Sequence, residues 1–284
     1  MTDTKNTQWL VITDLDGTLL NHHDYEIQGA LPAIKKLRQQ DIPVIFNTSK
    51  TFSETISLQN KIKIEAPFVV ENGSCIYFPK SLYPDLKYSK IISSREQYWE
   101  IVLGQTHSAI SDILKLIDTP PSCYQLLSAC SPEEASKLTG LSIKQAEQAI
   151  SREFSEPLIW NADNEKLALF KQQLKEHNLN TLQGGRFLHV LGNCDKGIAT
   201  NKLKDILMTK KHKIKTIVLG DSANDAAMLK VADMSIIVNS PSNHHLQKII
   251  TPNIHTTQEA PAGWSEGIDT ALLTLKKSKY KELS

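Results

Sequence analysis

The stretch LVITDLDGTLL occupies residues 10–20. An apolar run ends there on two aspartates, Asp14 and Asp16, which flank a single leucine and are followed by Gly17 and Thr18. Ionised carboxylates side by side repel, and burying either is costly without a partner. A strand that ends this way calls for a positive charge nearby or for chemical work by the pair.

The surrounding sequence sets the fold class. WLVIT, IPVIFN and PFVVEN read as buried strands, and ALPAIKKLRQQD places Ala30, Ile34 and Leu37 on one helical face. TFSETISLQNKI reads as a helix between the second and third strands. The C-terminal part repeats the alternation, with DKGIATNKLKDILM helical, IKTIVLG a strand, ANDAAMLKVA a helix, MSIIV a strand and SEGIDTALLTLKK a closing helix. Strands alternating with helices predict βαβ units and a parallel sheet. Ligands of such sheets gather at the carboxyl ends of the strands, where Asp14, Thr48 and Asp221 fall.

Residues 83–192 read differently, as short helices and less regular strands. SPEEASKLTG carries Ser131 as N-cap, Pro132 at the first helical position and Glu134 closing a capping box; Ser142 and Gln145 repeat the device. NADNEKLALFKQQLKEHN is a further helix, and RFLHVLG returns as a strand. The expected organisation is a core in two parts, 1–82 and 193–284, interrupted by an α+β cap at 83–192.

Composition narrows the function. Lys+Arg 32 against Asp+Glu 31 gives a net charge of +1, which argues against nucleic-acid binding through a strong overall positive field. The polar start MTDTKNTQ has no apolar signal core, and no apolar run approaches membrane-spanning length. Cys75, Cys123, Cys130 and Cys194 form no C-x-x-C pair, so reduced structural thiols in a cytoplasm are expected.

A second acidic cluster, VLGDSANDAAML at 218–229, also follows a strand and opens a helix. Two acidic strand ends in one parallel sheet can build an oxygen-lined Mg2+ site. The expected ligands are the Asp14 and Asp221 carboxylates and the Asp16 main-chain carbonyl, with Asn224 and Asp225 behind them. Asp14 is placed to attack phosphorus and form an aspartyl-phosphate. Asp16 can protonate the leaving oxygen and later deprotonate water. Thr48 offers a hydroxyl to phosphate, with a helix N-cap as its ordinary alternative, and Lys196 would neutralise charge on the transferring group.

DLDGT, NTSK, DKG and GDSAND, in that order, resemble the four motifs of the haloacid dehalogenase superfamily of aspartyl-phosphate phosphatases. The insertion resembles the αβ cap of the Cof-type branch. Within it, SREFSEP at 151–157, GGRFLHVLGNCDKG at 184–197 and APAGWSEGI at 260–268 are similar to mannosyl-3-phosphoglycerate phosphatases and their close relatives. The resemblance implies a Rossmann-like α/β core and Mg2+-dependent hydrolysis of a small phosphorylated molecule such as mannosyl-3-phosphoglycerate. Ser49 and Lys50 stand where Cof-type relatives often carry glycine and arginine, and both are compatible with phosphate binding.

In the cap, Arg152 and Arg186 are candidates to clamp the substrate's carboxylate or phosphate, and Glu153 to accept from sugar hydroxyls. Arg152 and Glu153 decorating a helix end is the plainer alternative. Gly184-Gly185 reads as a turn, Asn72 as a residue after the third strand that could reach the site, His22-His23 as part of a flap and Trp264 as packing. Three other functions remain in view: a sugar phosphatase of other specificity, a phosphomannomutase-like enzyme, and a non-catalytic binding module on the same fold.

Overall fold

The computed structural model describes residues 6–86, 93–95, 97–184, 186–208 and 212–282; Gly185 of the expected Gly184-Gly185 turn lies outside them. The chain divides into two compact units. One comprises 1–48, 66–68 and 196–284; the other comprises 49–65 and 69–195.

The first unit has the expected α/β character. Its sheet runs Ile254–Glu259, Met234–Asn239, His212–Gly220, Asn6–Thr13, Val44–Asn47, each strand parallel to its neighbours. The central pair aligns Leu10 with Thr216 and Thr13 with Leu219. The later halves of both strands are apolar because both faces are covered there: Val11, Ile12, Ile217 and Val218 are fully buried. Asp14 and Asp221 are the first residues past these two neighbouring strands, so register alone brings the acidic ends together. The helix Leu31–Gln39 buries Ala33, Ile34 and Leu37. The C-terminal helix spans Ala262–Glu282, where Trp264 is fully buried and its Nε1 donates to Thr13 Oγ1 at 3.0 Å. Packing is indeed what Trp264 does.

The second unit is α+β. A four-stranded antiparallel sheet runs Tyr124–Leu126, Ser155–Trp160, Phe187–Gly192, Leu179–Gly184. The helices His107–Leu116 and Asn164–Glu176 contribute Ile110, Leu114, Phe170 and Leu174 to a core shared with Leu158, Leu188 and Val190. The capping boxes at Ser131 and Ser142 form as the sequence predicts. The four cysteines are free and buried.

The sequence left Thr48 as a possible cap of the following helix. The cap of Phe52–Ile62 is instead Thr51, with a full capping box to Glu54. Its hydroxyl also donates to the Gln148 carbonyl at 2.9 Å. Thr51→Ala is expected to cost about 1–2 kcal/mol, the upper range for a capping threonine. Thermal unfolding followed by circular dichroism should show a fall of roughly 2–4 °C for each kcal/mol. An unchanged midpoint would mean that the cap contributes nothing here.

Candidate active site

The acidic strand ends belong to the first unit. Asp14, Asp221 and Asp225 are 4%, 1% and 0% exposed, and one carboxylate oxygen of each lies within 4.8 Å of the others. Three buried carboxylates so close would be untenable alone. Lys196 sits among them, its side chain fully buried, with Nζ 2.7 Å from Asp14 Oδ1 and 2.7 Å from Asp225 Oδ1. Burial disfavours its charge, but Asp14 and Asp225 outweigh that, and its pKa rises above the ordinary lysine value.

Each carboxylate has a different set of partners, which separates their possible roles. Asp225 spends both oxygens on the protein. Oδ1 takes the lysine, and Oδ2 accepts the main-chain N–H of Asp221 at 3.0 Å and of Ser222 at 3.1 Å. It is a brace for the turn after the strand. Asp221 Oδ1 accepts from Thr18 Oγ1 and Oδ2 from Ser240 Oγ, both at 2.9 Å. Burial and the nearby Asp225 push its carboxyl up to about 7, against the opposing effect of Thr18, Ser240 and Lys196. Asp14 is raised as well, first by burial and then by Asp225, with Lys196 acting against the shift. One lysine therefore leaves this cluster short of positive charge. A hard dication held by carboxylate oxygens fits that deficit, and Asp14 and Asp221 are the residues that would hold it.

Two glycines make the close approach possible. Gly17 has φ +78°, and a Cβ there would lie 2.7 Å from Asp221 Oδ2. A Cβ on Gly220 would lie 2.5 Å from Asp225 Cβ. Asp16, immediately before Gly17, is half-buried, whereas Asp14 is buried. Thr48 is fully buried at the end of its strand. Beside it, Asn47 donates to the Lys196 carbonyl at 2.9 Å and to Thr200 Oγ1 at 3.1 Å. Asn224 accepts from Ser222 Oγ in the turn that Asp225 braces.

Sequence reasoning missed Thr18, Ser240 and Asn47. Thr18 was visible as the last residue of DLDGT, and Ser240 and Asn47 stand at carboxyl ends of parallel strands. Their hydroxyl and amide chemistry is common enough that only contacts single them out.

The cap candidates lie in the second unit and have separate surroundings. Arg186 is exposed and donates through Nη2 to the Thr139 carbonyl at 2.9 Å. The Arg152 side chain is 8% exposed; Nη1 donates to the Ser49 carbonyl at 2.9 Å and to Ser155 Oγ at 3.2 Å. Glu153 pairs with Arg95, whose guanidinium also lies 4.2 Å from the Phe52 ring centre and 2.7 Å from Glu100. Asn72 is buried after the third strand, and His22 and His23 lie in turns.

A family model of haloacid dehalogenase-like hydrolases matches residues 11–259. A glucosyl-3-phosphoglycerate/mannosyl-3-phosphoglycerate phosphatase of Methanococcoides burtonii is 34% identical over 265 residues, covering 91% of this chain and 95% of that protein. A protein of the same description from Persephonella marina is 31% identical over 261 residues, with the same coverage of 91% and 95%. Among solved structures, one from Thermotoga maritima matches with a TM-score of 0.62 at 20% identity, over 93% of this chain and 97% of that one. A sucrose-phosphatase from Synechocystis, determined with sucrose and phosphate, matches with a TM-score of 0.61 at 16% identity, over 93% and 98%. No helix among the described residues is long and apolar enough to cross a membrane. The matched span contains both acidic strand ends and Lys196, and the chain belongs to the haloacid dehalogenase-like hydrolases.

Proposed function

We propose that the protein is a Mg2+-dependent phosphomonoesterase that works through an aspartyl-phosphate on Asp14. The observation that carries this reading is the buried Asp14–Lys196–Asp225 chain beside Asp221, with 2.7 Å on each side of the lysine. Lys196 opposes the upward push of burial and Asp225 on the Asp14 carboxyl and fixes one of its oxygens. In the first step the Asp14 carboxylate attacks phosphorus, the ester P–O bond breaks, and Asp16 gives its proton to the leaving oxygen. In the second, Asp16 takes a proton from water, the water oxygen joins phosphorus, and the bond to Asp14 breaks. Phosphate leaves and both aspartates return to their starting states. Mg2+ held by Asp14 and Asp221, with the Asp16 carbonyl, would supply charge neutralisation to the transferring group. Thr48, Ser49 and Lys196 are the phosphate-binding residues of this reading, and Asn224 and Asp225 support the metal side.

The proposed substrate is mannosyl-3-phosphoglycerate, hydrolysed to mannosylglycerate and phosphate in the cytoplasm. Two relatives at 34% and 31% identity carry glucosyl- and mannosyl-3-phosphoglycerate phosphatase in their names, which supports a glycosyl-glycerate ester. Residues 83–192 are proposed to choose the molecule, with Arg186 and Glu153 meeting its polar groups.

Asp14→Asn is expected to abolish phosphate release while leaving the far-ultraviolet spectrum unchanged, because an amide does not attack phosphorus as a carboxylate does. Near-native turnover by the purified variant would sink the mechanism.

The cation makes a prediction that does not depend on turnover. The Asp221 carboxyl sits at about 7 in the folded protein without metal, well above the roughly 3.9 of an unfolded chain. Between those values the folded state holds the extra proton. This group's contribution to stability is therefore present at acidic pH and falls as pH rises through 7. Mg2+ takes the place of that proton, so its effect on Tm should be larger at about pH 8 than at about pH 6. Calorimetry with Mg2+ or chelator at both values measures this; no Mg2+ effect at either pH would contradict the site.

Arg186→Ala should lower kcat/KM for mannosyl-3-phosphoglycerate by about tenfold or more, the scale of losing a hydrogen bond between charged groups. It should leave p-nitrophenyl phosphate, which has no glycerate to hold, nearly unchanged. Equal losses on both esters would remove Arg186 from recognition.

A further inference from the structure

Asn47 has no role in the chemistry above, and its hydrogen bonding is unusual for a buried amide. It is the last residue of the strand Val44–Asn47 and is 0% exposed. Register pairs Thr13 with Phe46, so the next residues along these two neighbouring chains are Asp14 and Asn47. The residue level with the nucleophile on the flanking strand is therefore an asparagine.

Its Nδ2 donates to the Lys196 carbonyl at 2.9 Å and to Thr200 Oγ1 at 3.1 Å. A main-chain carbonyl only accepts, so the NH2 edge must be the one turned to Lys196. That leaves Oδ1 on the other edge, where it is buried and meets no hydrogen-bond donor among the described residues. An unpaired buried acceptor is costly, and native proteins rarely keep one without a reason. Satisfying the Lys196 carbonyl is not that reason, because Thr200 Oγ1 already donates to it at 2.8 Å. The fold alone would lose little if Asn47 were apolar.

What Asn47 does is tie the first residue of the helix Lys196–Leu207 to the end of the strand beside Asp14. The helix start is held again at Gly197, where a Cβ would lie 2.6 Å from the Ala227 carbonyl oxygen. All of these residues belong to the first unit. Lysine carries its ammonium on a flexible four-carbon stem. Nζ nevertheless meets Asp14 Oδ1 and Asp225 Oδ1, each at 2.7 Å. With the main chain of Lys196 pinned, the stem has a fixed origin from which to reach both carboxylates.

We propose that Asn47 is a positioning residue that sets where the Lys196 ammonium stands against Asp14. The inference rests on the reading of Asp14 as the nucleophile and of Lys196 as the charge that neutralises the transferring phosphoryl group. Asn47 acts through Lys196 and not by contact with the substrate.

Asn47→Leu tests this, because it removes both donated bonds and the unpaired oxygen at similar size. Its kcat should fall by roughly ten- to a hundredfold for both p-nitrophenyl phosphate and mannosyl-3-phosphoglycerate, the scale of an ångström's misplacement at a reacting centre. KM should change less than kcat, because the lysine's charge counts most where charge develops in the transition state. Tm without Mg2+ should stay within about 4 °C of the unaltered protein's, the shift that one hydrogen bond makes in a protein of this size. The direct readout is the Lys196 ammonium itself. In protein labelled with 15N at lysine Nζ, a buried, hydrogen-bonded ammonium gives a resonance that exchange with water erases for exposed lysines. Its displacement in Asp14→Asn assigns it, and it should also move in Asn47→Leu. Unchanged kcat on both esters, or an ammonium resonance that stays in place, would overturn the proposal. So would a loss of activity that tracks a loss of Tm, the mark of a purely structural residue, and so would a loss confined to one ester. Should Asn47→Leu fail to fold, Asn47→Ala, which asks no space of its surroundings, carries the same comparison. Unaltered protein that hydrolyses neither ester would overturn the phosphatase reading itself, a result visible before any variant is made. An active unaltered protein with an indifferent Asn47→Leu would overturn this inference alone.

Discussion

The burial of a charged lysine between two aspartates is the constraint on which the rest of the first unit depends. Lys196 has no solvent to stabilise its ammonium, so Asp14 and Asp225 must stay beside it. Asp225 then has to be anchored, which the amides of Asp221 and Ser222 do. The turn that supplies those amides needs Gly220 without a side chain, and the facing turn needs Gly17 for the same reason. Sheet register completes the arrangement, because adjacent parallel strands deliver Asp14 and Asp221 side by side. Three carboxylates against one lysine remain out of balance, and the carboxyls of Asp14 and Asp221 are raised first by burial and then by the neighbouring Asp225.

The second unit handles buried charge differently. Glu71 is surrounded by main-chain and hydroxyl donors, with Arg152 close by. Glu156, 1% exposed, is met by His107 at 2.7 Å and by the main chain and hydroxyl of Ser128. His107 is raised in turn, chiefly by its hydrogen bond to Glu156. Each of these two carboxylates has a matched set of donors. Among the described residues, the group of acidic side chains that could hold a cation is the one at the acidic strand ends of the first unit.

Much of this was legible in the sequence because parallel-sheet strands announce themselves as apolar runs, and a carboxylate directly after such a run is conspicuous. Asp14 and Asp221 were found that way, and Lys196 from its place in the DKG motif. The capping boxes at Ser131 and Ser142 were legible from local spacing alone, since both partners lie within one helical turn. The cap that was the ordinary alternative for Thr48 falls to Thr51, which is three residues on and fits the spacing to Glu54. The ANDAAMLKVA segment begins as a short tight turn, Ala223–Asp225, before the helix Ala226–Lys230, because Asp225 is drawn back to the amides of Asp221 and Ser222. What could not be read were contacts between residues far apart in the chain: Thr18 and Ser240 on Asp221, Asn47 on Lys196, and Arg152 on the Ser49 carbonyl. No periodicity encodes these, and serine, threonine and asparagine occur too widely to stand out.

The central claim is that Asp14 carries the phosphoryl group between the two chemical steps. Mass spectrometry of enzyme quenched in acid during a single turnover with Mg2+ and p-nitrophenyl phosphate tests it directly. The account expects one added phosphoryl group, localised by peptide fragmentation to Asp14, that appears and decays at rates compatible with turnover. Full turnover with Asp14 unmodified at every quench time, or a phosphoryl group on another residue, would contradict it.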